Sequence, residues 1–272
     1  MQRISTLFTC LIFSALFFTS CGDKENVGPE NCNVVKEYLV SQDSRQLLNE
    51  YEYDDFGKIL KIKHQETTGA PTESRFEYDS EGRLIKLYDK FSLGENGAPF
   101  DGYLEFLYSA RGVVYQVDGY KVENDQKSLF QAFVLYYEPN TNLINQVVTS
   151  FGERYRFEYD EKGNATKTLY KPETKAEYLL EEYTGYNYEV INTPSEQPLV
   201  LRNLFFALRG RSFSQNQVTA YKVYNEDGSL KENYTIDREL NTAGKMVKET
   251  TSINTNGITA SRIIEKEYPT CK

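Results

Sequence analysis

The sequence predicts an all-β protein, a long antiparallel up-and-down meander curled into an open or nearly closed barrel of about 12–15 strands. Three observations carry that expectation. A short phrase returns along the chain as Tyr51-Glu52-Tyr53-Asp54-Asp55-Phe56-Gly57, Phe76-Glu77-Tyr78-Asp79-Ser80-Glu81-Gly82 and Phe157-Glu158-Tyr159-Asp160-Glu161-Lys162-Gly163, with looser copies ending at Gly112 and Gly228. Between copies, apolar and polar residues alternate with period two, the mark of a half-buried strand. The apolar fraction is only 39% although 14% of residues are aromatic, which suits a sheet with one face in water.

Each phrase reads as strand, tight turn, strand. Asp54, Asp79 and Asp160 stand first in the turn, where a carboxylate accepts hydrogen bonds from amides two residues on. Gly57, Gly82, Gly112, Gly163 and Gly228 stand where a left-handed backbone is required. A type I turn followed by a left-handed residue closes a hairpin through a bulge. The phrase therefore works as a ruler, one hairpin per copy, and its acids are turn-formers.

Taken in order, residues 1–20 form a signal peptide: Arg3 gives the positive start and residues 7–18 an apolar run too short to span a bilayer. The run ends in Phe18-Thr19-Ser20-Cys21. Small residues before a cysteine resemble the lipobox of bacterial lipoproteins, and that resemblance makes Cys21 the lipidated first residue of the mature chain; an ordinary signal peptide cut elsewhere is the other reading. A diacyl or triacyl anchor suffices for stable membrane attachment. Residues 21–31 are a polar tether, and residues 32–272 fold as one domain. With Cys10 lost in the leader and Cys21 lipidated, Cys32 and Cys271 remain. An exported compartment permits a disulfide between them; two free thiols are the alternative.

Strand-like stretches follow one another from 34 to 191, broken once by a loop over 192–198. Leu201, Leu204, Phe205 and Leu208 then form one stripe of a short helix near 199–208. Such a helix covers one end or the inside of a curled sheet, or serves as a partner-binding element. Strands resume to residue 268.

The chemistry is sparse. The net charge is −9 with no basic cluster, which argues against nucleic acid. His64 is the single histidine, on a strand, with no spacing signal for a Ser-His-Asp or zinc arrangement. No metal, cofactor or catalytic residue is expected, although paired carboxylates brought together by the fold stay open. The 22 tyrosines read either as cross-strand ladders of Tyr51, Tyr53, Tyr78, Tyr108, Tyr137, Tyr155 and Tyr159, or as a ligand-binding face.

The lipobox, the Tyr-Asp-x-x-Gly hairpins, the apolar helix ahead of Ser214-Gln215-Asn216-Gln217 and the Tyr-x-x-Asp-Gly hairpin after it are together similar to a family of Bacteroidetes lipoproteins of unknown function with a porin-like β fold. The turns also resemble the Tyr-Asp repeats of Rhs-type shell proteins. The resemblance covers roughly residues 35–270. It implies a barrel-like meander, lipid-anchored at the bacterial outer membrane on its periplasmic or surface face, and no catalytic residues. The expected function is a non-enzymatic binding or interaction module for a protein, glycan or small apolar ligand. A carrier with its cargo inside the barrel and an envelope hydrolase are the alternatives. A membrane-spanning porin is disfavoured, because strand centres carry Lys, Glu and Asp on the outward side.

Overall fold

The computed structural model describes residues 33–65, 71–91, 98–191 and 210–268. They form sixteen strands: β1 (Lys36–Val40), β2 (Arg45–Tyr53), β3 (Ile59–His64), β4 (Thr72–Tyr78), β5 (Leu84–Phe91), β6 (Phe100–Tyr108), β7 (Val114–Glu123), β8 (Gln126–Tyr137), β9 (Ile144–Thr149), β10 (Arg154–Tyr159), β11 (Ala165–Lys171), β12 (Tyr178–Ile191), β13 (Asn216–Tyr224), β14 (Leu230–Leu240), β15 (Met246–Thr255) and β16 (Ile258–Glu267). A 3-10 turn, Gly210–Phe213, precedes β13. Each strand pairs with its sequence neighbours and β1 pairs with β16, so the sheet is a closed barrel. The strand number exceeds the expected range by one, and closure explains why it is even. In an up-and-down meander the first and last strands run antiparallel only when the number is even, and here Lys36 lies opposite Glu267 and Val40 opposite Ile263.

The leader over 1–20, the tether over 21–31, Cys21, Cys32, Cys271 and the helix expected near 199–208 lie outside the described residues.

Alternation along the strands gives the wall two chemically distinct faces. On β14, Glu232, Tyr234, Ile236 and Arg238 are sheltered, while Asn233, Thr235, Asp237 and Glu239 are exposed. The continuous core lies on the inward face. That face carries Phe76, Leu87, Leu104, Phe106, Val117, Phe133, Val147 and Phe157 in one cluster, and Ala165, Tyr183, Val218, Tyr221, Val223 and Ile236 in a second. The relative exposure of Leu87, Leu104 and Val147 is 0%. A circular barrel of about this many strands would hold water in its lumen. Complete burial of these side chains requires that the wall around β2–β10 close onto its own aromatic and aliphatic residues instead.

The outward face is ionic. Lys63 meets Glu52 at 2.7 Å, Lys61 meets Glu73 at 3.3 Å, Arg156 meets Glu158 at 2.9 Å and Lys222 meets Glu182 at 3.6 Å. Such exposed pairs contribute little stability, but they fix which side is wet.

Candidate functional site

The up-and-down order sets the hairpins β2–β3, β4–β5, β6–β7, β8–β9, β10–β11 and β14–β15 at one end of the barrel, together with the start of β1 and the end of β16. This is the turn end. Asp54 Oδ1 accepts from the amides of Phe56 and Lys58, Asp79 Oδ1 from Glu81 and Arg83, and Asp160 Oδ1 from Lys162 and Asn164. Gly57, Gly82, Gly112 and Gly163 have φ between 76° and 80°, so each sits in the left-handed region. Gly228, with φ 81°, closes the β13–β14 hairpin, which lies at the opposite end. Sequence reading missed one copy at the turn end, Asn241-Thr242-Ala243-Gly244. Asn241 Oδ1 accepts from Ala243 and Lys245 as the aspartates do. The Asn and Gly spacing was the available signal, hidden because Leu240 stands where the phrase has tyrosine.

The tyrosine of the phrase has a different task. At the turn end the ladders between successive hairpins stop short. The last paired residues are Lys61 and Arg75 between β3 and β4, Lys86 and Glu105 between β5 and β6, and Gln146 and Arg156 between β9 and β10. Beyond them the hairpins splay, and a carbonyl at the start of the earlier strand of each gap faces the opening. A tyrosine hydroxyl donates to it across each gap: Tyr53 to Val34 (2.7 Å), Tyr78 to Ile59 (2.8 Å), Tyr108 to Leu84 (2.8 Å), Tyr137 to Val114, Tyr159 to Ile144 (2.6 Å), Tyr186 to Ala165 and Tyr268 to Met246 (2.9 Å). Between β13 and β14 the guanidinium of Arg238 replaces tyrosine, donating to the carbonyl of Val218 at 2.6 Å. Of the tyrosines expected in a cross-strand ladder, Tyr155 does stack across the hairpin on Tyr170, at 4.7 Å, and Tyr51 bonds to Glu37. Tyr53, Tyr78, Tyr108, Tyr137 and Tyr159 lay their rings against the core and staple hairpin to hairpin through their hydroxyls.

A polar chain crosses the inner face of the first hairpins. Lys266 on β16 pairs with Glu37 on β1 at 3.0 Å. Glu37 Oε2 accepts from Asn49 Nδ2 and from the Tyr51 hydroxyl, both at 2.7 Å. Asn49 Oδ1 lies 2.8 Å from His64 Nδ1, and His64 Nε2 lies 2.7 Å from Ser74 Oγ. Ser74 Oγ donates to Asp89 Oδ2 at 2.7 Å. Burial alone would push Glu37 up. The Lys266 ammonium and the bonds from Tyr51 and Asn49 outweigh it and hold the carboxyl below its ordinary value.

The order of this chain decides its chemistry. Asn49 turns its NH2 group to Glu37 and its oxygen to Nδ1, and Ser74 donates its proton to Asp89 and turns its oxygen to Nε2. The fold does gather a serine, the histidine and an aspartate, which sequence spacing did not reveal because they come from β4, β3 and β5. Yet the serine stands in the middle and its proton points to Asp89, away from the ring; a nucleophilic triad needs the histidine between. Ser74 is also wholly buried.

A second inward polar group lies on β11–β13. The Tyr183 hydroxyl donates to Glu181 and sits 2.8 Å from Thr168 Oγ1. Arg211 stacks 4.7 Å above the Tyr221 ring. Burial, with the Glu181 charge beside it, pushes Tyr183 well above its ordinary value. Of the inward carboxylates, Glu37 is held by Lys266, Asp89 by Ser74, Glu181 by Tyr183, Glu232 by the Tyr234 hydroxyl and Glu249 by Arg238. Among the described residues no group of three or more His, Cys, Asp or Glu is placed to hold a metal ion.

On the outside, the gap between β9 and β10 opens into a cleft of about 500 Å³, lined by Tyr136, Asn145, Gln146, Arg156, Glu158 and Tyr159 among others. Arg156 is fixed there between Glu158 and Glu177, 2.9 Å from each.

Fold and faces together define a closed, sixteen-stranded, antiparallel up-and-down barrel whose β2–β10 wall carries an apolar inner cluster, crossed by buried polar groups, and whose outer face is ionic. The chain is similar in structure to a porin-like protein from Bacteroides uniformis ATCC 8492, at 14% identity over 86% of this chain and 97% of that one, with a TM-score of 0.41. It is also similar to a porin-like protein from Bacteroides vulgatus ATCC 8482, at 13% identity over 88% and 99% of the two chains, with a TM-score of 0.40. No family model matches the chain, and no curated protein matches it.

Proposed function

We propose that this protein is a lipid-anchored, non-enzymatic protein of the bacterial envelope whose barrel stands in water and serves as a binding or interaction module. The polarity of the wall carries the reading. A barrel that spans a membrane turns an apolar band outward and lines a polar lumen, and each Lys or Arg at the lipid-facing midplane costs about 2–4 kcal/mol. Here Lys61, Lys63 and Arg75 share the outward face with Glu52 and Glu73, while Leu87, Leu104 and Val147 face inward. Membrane attachment then falls to Cys21. The carrier alternative needs an enclosed apolar cavity, and the β2–β10 wall is occupied by its own side chains. A hydrolase needs an inward acid with a free role, and the inward acids named above are engaged.

The test is the fate of Cys21→Ser in the exporting cell. The wild-type protein should sediment with membranes and enter the detergent phase, and the variant should appear folded in the aqueous fraction. A variant that stays in the membrane fraction would overturn the anchored-and-soluble reading.

A further inference from the structure

The gaps between hairpins are built alike, so the residue one step past the last ladder pair can be compared from gap to gap. That position holds Leu60 on β3, Ile85 on β5, Tyr115 on β7, Thr166 on β11 and Val247 on β15, but Asn145 on β9. Where most other gaps present a bulky apolar side chain, this one presents an amide. Asn145 Oδ1 is buried and finds no hydrogen-bond partner among the described residues, a state that ordinarily costs about 1–3 kcal/mol. The same amide lines the cleft of about 500 Å³, within the size range of small-molecule sites.

The lining selects the class of ligand. Tyr136, Gln146 and Arg156 form one cross-strand row on the outer face, Gln146 lying opposite both others. Tyr136 is 49% exposed and offers a ring face. Gln146 and Asn145 offer donors and acceptors. The single cation, Arg156, is already held by Glu158 and Glu177, and Glu138 adds a further carboxylate to the lining. An anion would meet excess negative charge, and an apolar ligand would strand the amides and the ion pair. A neutral polyhydroxylated ring fits: its C–H face stacks on Tyr136, and its hydroxyls both donate and accept.

We propose that the cleft between β9 and β10 is a binding site for a short neutral oligosaccharide, with Tyr136 as stacking platform and Asn145 and Gln146 as hydroxyl partners. This rests on the binding-module reading and names its ligand class. The test is ligand-observed NMR of the purified protein with a panel of neutral tri- and tetrasaccharides of glucose, mannose, galactose and xylose, at up to about 10 mM. At least one should bind. Tyr136→Ala and Asn145→Leu should each weaken it by about tenfold or more, while Asn145→Leu, which installs the residue type of Leu60, should melt no lower than wild type. If no saccharide in the panel binds, or if binding is unchanged in both variants, the site is wrong. Release of Cys21→Ser from membranes is a separate readout, so the anchoring can stand if the sugar site falls.

Discussion

Replacing Tyr108 with phenylalanine is expected to lower stability by about 1–3 kcal/mol, the cost of leaving a sheltered carbonyl unpaired. The ring stays in the core, so packing is preserved and only the bond to the Leu84 carbonyl is lost. Tyr78→Phe and Tyr159→Phe should behave alike, and because each closes a different gap their effects should add to a first approximation. Tyr115→Phe is the control, since Tyr115 is 42% exposed and closes no gap; its change should be near zero. The same hydroxyls predict an alkaline limit. Burial, the largest cause in each, pushes Tyr108 and Tyr137 up to about 12 and raises Tyr53, Tyr78, Tyr159 and Tyr186 in the same direction. A folded value above the unfolded value of about 10 means that the contribution is fully present below pH 10 and is lost as pH rises toward 12. Tyrosinate absorbance should therefore rise together with the loss of β ellipticity in that window. Ionisation of most tyrosines at their ordinary value, with the fold intact, would contradict the staples.

Serine at both Cys32 and Cys271 is expected to cost about 2–5 kcal/mol in the oxidised protein. The structural reason is the closure of the barrel. Seven of the eight strand pairs that reach the turn end as units belong to successive chain, six of them the hairpins named above and the seventh β12–β13; the eighth is β16–β1, whose two strands are the two ends of the fold. The Val35 amide donates to the Glu267 carbonyl at 2.9 Å. Cys32 stands three residues before Val35 and Cys271 four residues after Glu267. We propose that a Cys32–Cys271 disulfide takes the place of the missing turn. Closing so long a loop restricts the unfolded chain strongly, with a chain-entropy ceiling near 5 kcal/mol. Intact-mass measurement should show a gain of two hydrogens on reduction, and reduction should lower the melting temperature of the wild type but not of the double variant. Two free thiols in the exported protein would end the proposal.

How much of this was legible in the sequence follows from what sets each feature. Turns are local: Asp79 and Gly82 are three residues apart, and their roles need nothing beyond the backbone between them. Strand faces are nearly local, because period two fixes which residues share a side. The staples were hidden, although the tyrosines were conspicuous, because the partner of each hydroxyl is a backbone carbonyl some 15 to 24 residues away, as with Tyr159 and Ile144 or Tyr108 and Leu84. No side-chain type announces such an acceptor. The inner chain through His64 was hidden for a related reason. Lys266, Glu37, Asn49, His64, Ser74 and Asp89 come one each from six strands, and their meeting depends on closure and register together. Asn145 is intermediate. Its place in the repeat can be counted from the phrase, but the cleft beneath it exists only because the ladder stops at Gln146.

The most direct test of the account is electrical. The β2–β10 wall is packed with its own apolar side chains and its outer face carries ion pairs at strand centres, which suits a barrel held at a membrane without crossing it. Full-length lipidated protein reconstituted with a planar bilayer should produce no conductance steps at any holding potential, while flotation shows it bound to vesicles of the same lipid. Reproducible stepwise conductance that disappears without the protein would mean that the wall is inserted with an open lumen, and would contradict the assignment of its two faces.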